Sequence, residues 1–199
     1  MPRVVDAEQR RRELAGAVWR VIRRDGVAGA SVRSVAREAG TSMGALRHWF
    51  PTQDALLHFA MTLVTENVRA RIEAVVRGDG PPAARVVAVL EETLPLDAER
   101  RAEGEVWLAL TARALVDDDL AALRDRAAAE LRQLCALVLD ALADAGDVRD
   151  GLDPDLETER LYALLDGLAL HALHRPAALP AGRVRAVLEA HLAGLRDTR

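Results

Sequence analysis

Residues 31–50 read Ser31-Val-Arg-Ser-Val-Ala-Arg-Glu-Ala-Gly40-Thr-Ser-Met-Gly-Ala-Leu-Arg-His-Trp-Phe50. This stretch decides the fold. Ser31 is a good N-cap, because its hydroxyl can accept an otherwise unpaired backbone N–H of the first helical turn. Val32, Val35, Ala36 and Ala39 then recur at the spacing of one helix face. Gly40 stands where a helix stop is expected. Thr41 or Ser42 caps the next helix, with Ala45, Leu46, Trp49 and Phe50 on its inner side, and Pro51 ends it. Two short helices across a one-glycine turn form a helix-turn-helix.

The pattern continues outward on both sides. Upstream, Leu14, Val18, Val21 and Ile22 mark the buried face of a helix from about Ala7 to Arg24, broken by Gly26-Val-Ala-Gly29. Downstream, Leu57, Ala60, Met61, Val64 and Val68 stripe a long helix from about Thr52 to Arg77. Gly78-Asp-Gly-Pro-Pro82 breaks the chain most clearly. Five more helices are expected, over about 82–94, 98–115, 118–145, 154–174 and 181–196. No segment has the alternating β-branched pattern of a strand. The expected fold is all-α, with about nine helices. A three-helix unit spans 1–51 and a larger helical domain spans 52–199.

Charge divides along the same line. The first fifty residues carry ten Arg against five acids, a balance of +5, while the whole chain is at -4. A basic end on an acidic body suits contact with a polyanion. All 27 basic residues are Arg, so P-loop and Schiff-base lysine chemistry is excluded. The single cysteine, Cys135, can form neither an internal disulfide nor a Cys-rich zinc site and reads as a small core residue. The opening residues lack the apolar stretch of a signal peptide, and no run approaches the ~20 apolar residues of a membrane span. The expected setting is cytoplasmic, with no cofactor and no metal.

A three-helix unit of this kind lays its second helix across the phosphate backbone and its third in the major groove. On the third helix the outward positions are Ser42, Met43, Gly44, Arg47 and His48. Ser42 and Arg47 can donate to bases or phosphates, Met43 can touch a thymine methyl, and a small residue at Gly44 lets the helix sit deep. Ser31 and Thr41 flank the two helices, Arg33 and Arg37 suit phosphates, and Trp49 offers either an indole N–H or a core wedge. These ten residues are the candidate double-stranded DNA contacts.

Residues 27–57 closely resemble the signature of the TetR family of bacterial repressors. The resemblance covers the spacing from Ser31 through Gly40, the pair Trp49-Phe50, Pro51 and the start of the next helix. Two positions depart from it: Arg47 stands where many members have Tyr, and Gln53 where many have Lys. Glu105-Val-Trp107 and Leu164-Leu-Asp-Gly-Leu168 resemble the betaine-regulator-like subgroup. The resemblance implies an all-helical homodimer that leaves a palindromic operator when a small molecule enters the larger domain. It also implies that the two C-terminal helices pair into a four-helix bundle. Leu161, Leu164, Leu165, Gly167, Leu168 and Ala172 are the residues expected at that dimer face. Interior positions Phe59, Met61, Leu63, Trp107, Leu110, Thr111, Cys135, Tyr162 and His171 are the expected effector lining. Beyond Phe59 the only aromatics are Trp107 and Tyr162, too few for a quaternary-ammonium cage, so a largely apolar effector is expected in place of choline.

Two other readings stand beside this one. Gly40-Thr-Ser-Met-Gly44 spells the G-x-S-x-G nucleophile elbow of a serine hydrolase, but an elbow needs a strand before its serine. A helical interaction protein that does not bind DNA is the second, and the basic first fifty residues count against it. His171 and His174 are three apart but lack the further ligands of a metal site.

Overall fold

The computed structural model describes residues 7–79 and 81–196. Among these residues are nine α-helices, one short 3-10 turn and no strand. The helices are α1 Ala7–Asp25, α2 Val32–Glu38, α3 Met43–Trp49, α4 Gln53–Arg77, α5 Pro82–Glu91, α6 Ala98–Arg113, α7 Asp118–Asp144, α8 Pro154–His174 and α9 Ala181–Gly194. All nine stand where the periodicity places them, with small differences at their ends.

Local chemistry explains the ends that matter. The Ser31 hydroxyl accepts from the Ser34 amide at 3.1 Å, and the Ser34 hydroxyl accepts from the Ser31 amide at 2.9 Å. This reciprocal box caps α2, with serine in the place usually held by Glu or Gln. At the other end the Thr41 amide reaches the Ala36 carbonyl and the Gly40 amide the Arg37 carbonyl. That pairing requires a left-handed residue between helix and turn, and Gly40 supplies it at φ 62°. Ser42, not Thr41, caps α3: its hydroxyl oxygen accepts from the Ala45 amide at 3.1 Å. Asp153 caps α8 through the amides of Asp155 and Leu156.

The chain packs as two units. The first comprises 1–67 and 105–124, the second 68–104 and 125–199. These units differ from a division at 51/52, because α4 runs through both and α6 divides between them, 98–104 in the second and 105–113 in the first. In the first unit, Leu14, Val18 and Val21 of α1, Val35 and Ala36 of α2, and Leu46 of α3 share one core. Phe50, Leu57, Met61, Val106 and Leu110 close it. The Trp19 indole N–H donates to the Ala60 carbonyl at 3.0 Å, tying α1 to α4. In the second unit, Leu90, Cys135, Leu139, Leu161, Leu165, Leu168, Val184 and Leu188 form a separate core. Within this unit Arg71, on the second half of α4, grips Glu103 with two hydrogen bonds of 3.0 and 2.7 Å and reaches Glu92 at 2.9 Å. Glu103 is buried, so this pair joins α4 to α6 around a carboxylate removed from water.

Candidate functional site

The reading head is built so that α3 contributes little to its own core. Leu46 is its one buried residue; Ser42, Met43, Gly44, Ala45, Arg47 and His48 are exposed, and Trp49 is half-buried against the core. Ala45 therefore corrects the sequence reading, which placed it inside. With only two turns and Leu46 and Phe50 already filling the space over α1 and α2, no room is left for a second inward face. Met43 is 44% exposed and presents its thioether chain on the outer surface of α3. The His48 ring meets Trp49 edge-on at 5.6 Å. The Trp49 indole makes no hydrogen bond among the described residues.

Ion pairing sorts the arginines of the head. Glu38, at the end of α2, accepts from Arg20 at 2.7 Å and from Arg24 at 2.9 Å, and these bonds hold its carboxyl below the ordinary range. Arg24 also pairs with Asp25 at 3.0 Å, Arg23 with Glu105 at 2.6 Å, and Arg10 with Glu13 at 3.0 Å. Arg11 lies 4.6 Å from the centre of the Phe59 ring. By contrast Arg33, Arg37 and Arg47 are exposed and make no ion pair among the described residues. So Arg20 and Arg24 brace α1 against α2 through Glu38, and Arg10 and Arg23 are taken up by carboxylates elsewhere. Arg33, Arg37 and Arg47 are among the residues that the helix-turn-helix reading selected. Glu38 as the brace and Ser34 as half of the cap escaped that reading. A Ser-x-x-Ser spacing hints at the second; nothing in the pattern hints at the first.

Ser42 stands after helix α2 and a glycine turn, with its hydroxyl oxygen capping α3. A nucleophile elbow presents its serine from a strand, so the G-x-S-x-G match here is a coincidence of letters.

The dimer-face residues fall differently. Leu161, Leu165, Leu168 and Ala172 are at 0%, 1%, 6% and 1% exposure inside the core of the second unit. A side chain with no accessible surface has none to give to a partner, so the stripe read as an interface is this unit's own core at four of six positions. Leu164 and Gly167 are half-buried. The free apolar surface of α8 lies on another stripe, Leu156 at 56% and Leu170 at 38%, with Ala163 exposed between them. On α9, Ala186, Ala190 and Ala193 are exposed in the same way.

The nine effector candidates are divided between the units. Phe59, Met61, Leu63, Trp107, Leu110 and Thr111 belong to the first, Cys135, Tyr162 and His171 to the second. Met61, Leu63, Leu110 and Cys135 are buried in the cores, while Phe59, Trp107, Thr111 and Tyr162 are half-buried and His171 is exposed. Burial pushes the Cys135 thiol up to about 12, so it stays protonated and inert. The Thr111 hydroxyl oxygen is buried without a hydrogen-bond partner. A cleft of about 270 Å³ in the second unit is walled by Val86, Val87, Leu142, Leu192 and Ala193, with Glu189 and Arg196. None of the nine candidates lines it, and it falls below the ~300–1,000 Å³ usual for small-molecule sites.

Comparison with known proteins settles the family. Residues 82–197 match the profile of the C-terminal region of BetI-type transcriptional repressors. The chain is also similar to the transcriptional regulator PksA of Bacillus subtilis, at 43% identity over 202 residues that cover 100% of this chain and 97% of that one. The chain belongs to the TetR family of transcriptional regulators, in its BetI-type branch. A BetI regulator of Serratia proteamaculans is 30% identical over 183 residues, covering 89% of this chain and 88% of the relative. A transcriptional regulator from Saccharomonospora viridis, solved in complex with choline, superposes with a TM-score of 0.85 at 25% identity, covering 96% of this chain and all of that one. As a TetR-family member the chain is a helix-turn-helix transcriptional regulator. Among the described residues no helix is long and apolar enough to cross a membrane.

Proposed function

We propose that this regulator is a repressor that binds a pseudo-palindromic operator as a homodimer and leaves it when a small molecule binds. The observation that carries the reading is the sorting of the head's arginines. Arg20, Arg23 and Arg24 are held in ion pairs, while Arg33, Arg37 and Arg47 flank an α3 whose outer surface is open. Arg33 and Arg37 supply phosphate contacts that fix register; Arg47 with Ser42, Met43 and His48 reads base edges. Residues 1–51 form the reading part, and 52–199 the ligand and dimerisation part.

The dimer uses the outer stripe of α8 (Leu156, Ala163, Gly167, Leu170) with Ala186, Ala190 and Ala193 of α9. Small side chains there let helices of two copies approach closely, and a two-fold pair of heads matches half-sites about one DNA turn apart. The effector is largely apolar. Few aromatic side chains lie beyond the head, which disfavours a cage for a quaternary ammonium, although the relative from S. viridis holds choline. A ligand that binds the DNA-incompetent spacing more tightly releases the operator by that difference in affinity.

Selection of duplexes from a random library, followed by footprinting, tests the reading: two protected half-sites related by a dyad are expected. Selection of no sequence, or of a site without a dyad, overturns it. Titrating choline against the bound duplex decides the effector class, since release by choline at micromolar concentration excludes an apolar effector.

A further inference from the structure

The outer face of α3 carries two small exposed residues side by side. The first is Gly44. Its backbone is not left-handed, and a Cβ placed there would meet only the Ser42 hydroxyl oxygen at 3.9 Å, an ordinary contact. Neither conformation nor internal packing asks for glycine at this second position of α3. The consequence is an outer surface that a partner can approach more closely at this point than a side chain would allow. The second is Ala45. It is exposed, and its amide is already bonded to the Ser42 side chain at 3.1 Å. What Ala45 offers a partner is therefore a methyl group and no hydrogen bond.

This argument rests on the proposed function, in which the approaching surface is the major groove. There a bare methyl cannot read the donors and acceptors that separate the base pairs. It fits one feature, the C5-methyl of thymine. We propose that Ala45 reads a thymine methyl in each half-site and that Gly44, the residue beside it, gives the clearance for that contact. Arg47 and His48 lie one helical turn beyond Met43 and Gly44, so the apolar contact sits next to hydrogen-bonding contacts instead of replacing them. The operator half-site then holds a thymine that uracil cannot replace.

The test uses the full chain and the duplex selected from a random library, with each dT replaced in turn by dU, which removes only the methyl. For the wild type, one dT in each half-site is expected to weaken binding about fourfold when replaced, the worth of one buried methyl group. Ala45→Gly is expected to lose a similar factor on the dT duplex and to bind dT and dU duplexes alike. Gly44→Ala is expected to melt at a higher temperature and yet bind the selected duplex about tenfold more weakly, as an added methyl does in a close-packed contact. A merely structural glycine would not move these two readouts in opposite directions. The dU scan on the wild type needs no variant to fold. The proposal is overturned if no dT is sensitive, if Ala45→Gly still discriminates dT from dU (Met43 then being the reader), or if Gly44→Ala binds as the wild type does. A wild type that selects no duplex at all removes the proposed function itself, and this inference with it.

Discussion

Helices α3 and α8 were both read from sequence as binding faces, and the structure treats them differently. In α3 the outward residues Ser42, Met43, Arg47 and His48 are open, as the spacing indicates. In α8 the stripe Leu161, Leu165, Leu168 and Ala172 is closed inside the core, and a different stripe is open. The cause is the number of apolar residues competing for the interior. A seven-residue helix with Leu46 as its strongest apolar residue has one way to pack. Helix α8 has leucines or alanines on nearly every side, so periodicity identifies the helix without saying which apolar face meets its own unit and which remains for a partner.

The comparison can be broken at its strongest point first. Leu165→Ala removes a buried side chain and should cost about 2–5 kcal/mol of stability, read as a fall in Tm, with the folded fraction still dimeric. A mutant of unchanged stability that sediments as a monomer would return this stripe to the interface. Leu170→Glu addresses the outer stripe. Two carboxylates brought together across a two-fold axis should raise the dimer Kd on the order of a hundredfold while far-UV circular dichroism stays helical. Unaltered sedimentation would remove α8's outer face from the dimer.

On the α3 side, Arg47→Ala should lose about 1–3 kcal/mol on the selected duplex and relax sequence preference, if its guanidinium holds a base edge in two places. Arg33→Ala should weaken all duplexes alike and reduce the slope of log K against log salt by about 0.9. Equal behaviour of the two variants across sequences would erase the division between reading and anchoring. The smallest effect belongs to α9. Burial lowers the His191 pKa below its ordinary 6.5; Arg160 lowers it further and Glu157 opposes. The unfolded chain takes up a proton that the folded chain refuses, so stability should fall as pH drops below 6.5 and level off below the folded pKa. Denaturant midpoints between pH 7.5 and 5 check this, and His191→Gln should flatten that part of the profile.

Much of the reading head was legible because its signals are local. Ser31, Gly40 and Ser42 act on amides within a few residues of themselves, and a cap or a left-handed turn needs no distant partner. That Arg33, Arg37 and Arg47 stay out of ion pairs among the described residues was not legible. Glu38 and Glu105 take up Arg20, Arg24 and Arg23 from positions 14 to 82 residues away, a distance that periodicity does not span. Ala45 was misplaced because an alanine at helical spacing looks the same whether it packs or faces water.

Sequence alone therefore determined the nine helices of the described residues, the Ser31 cap, the Gly40 turn and membership of a DNA-reading family, all of which rest on interactions between near neighbours or on a linear motif. Tertiary structure alone decided which face of each apolar helix is core, which arginines are free, and that neither packing nor backbone conformation in the head explains the glycine at 44. These are outcomes of competition for limited interior volume and for a limited number of carboxylates, and that competition exists only once distant parts of the chain have met.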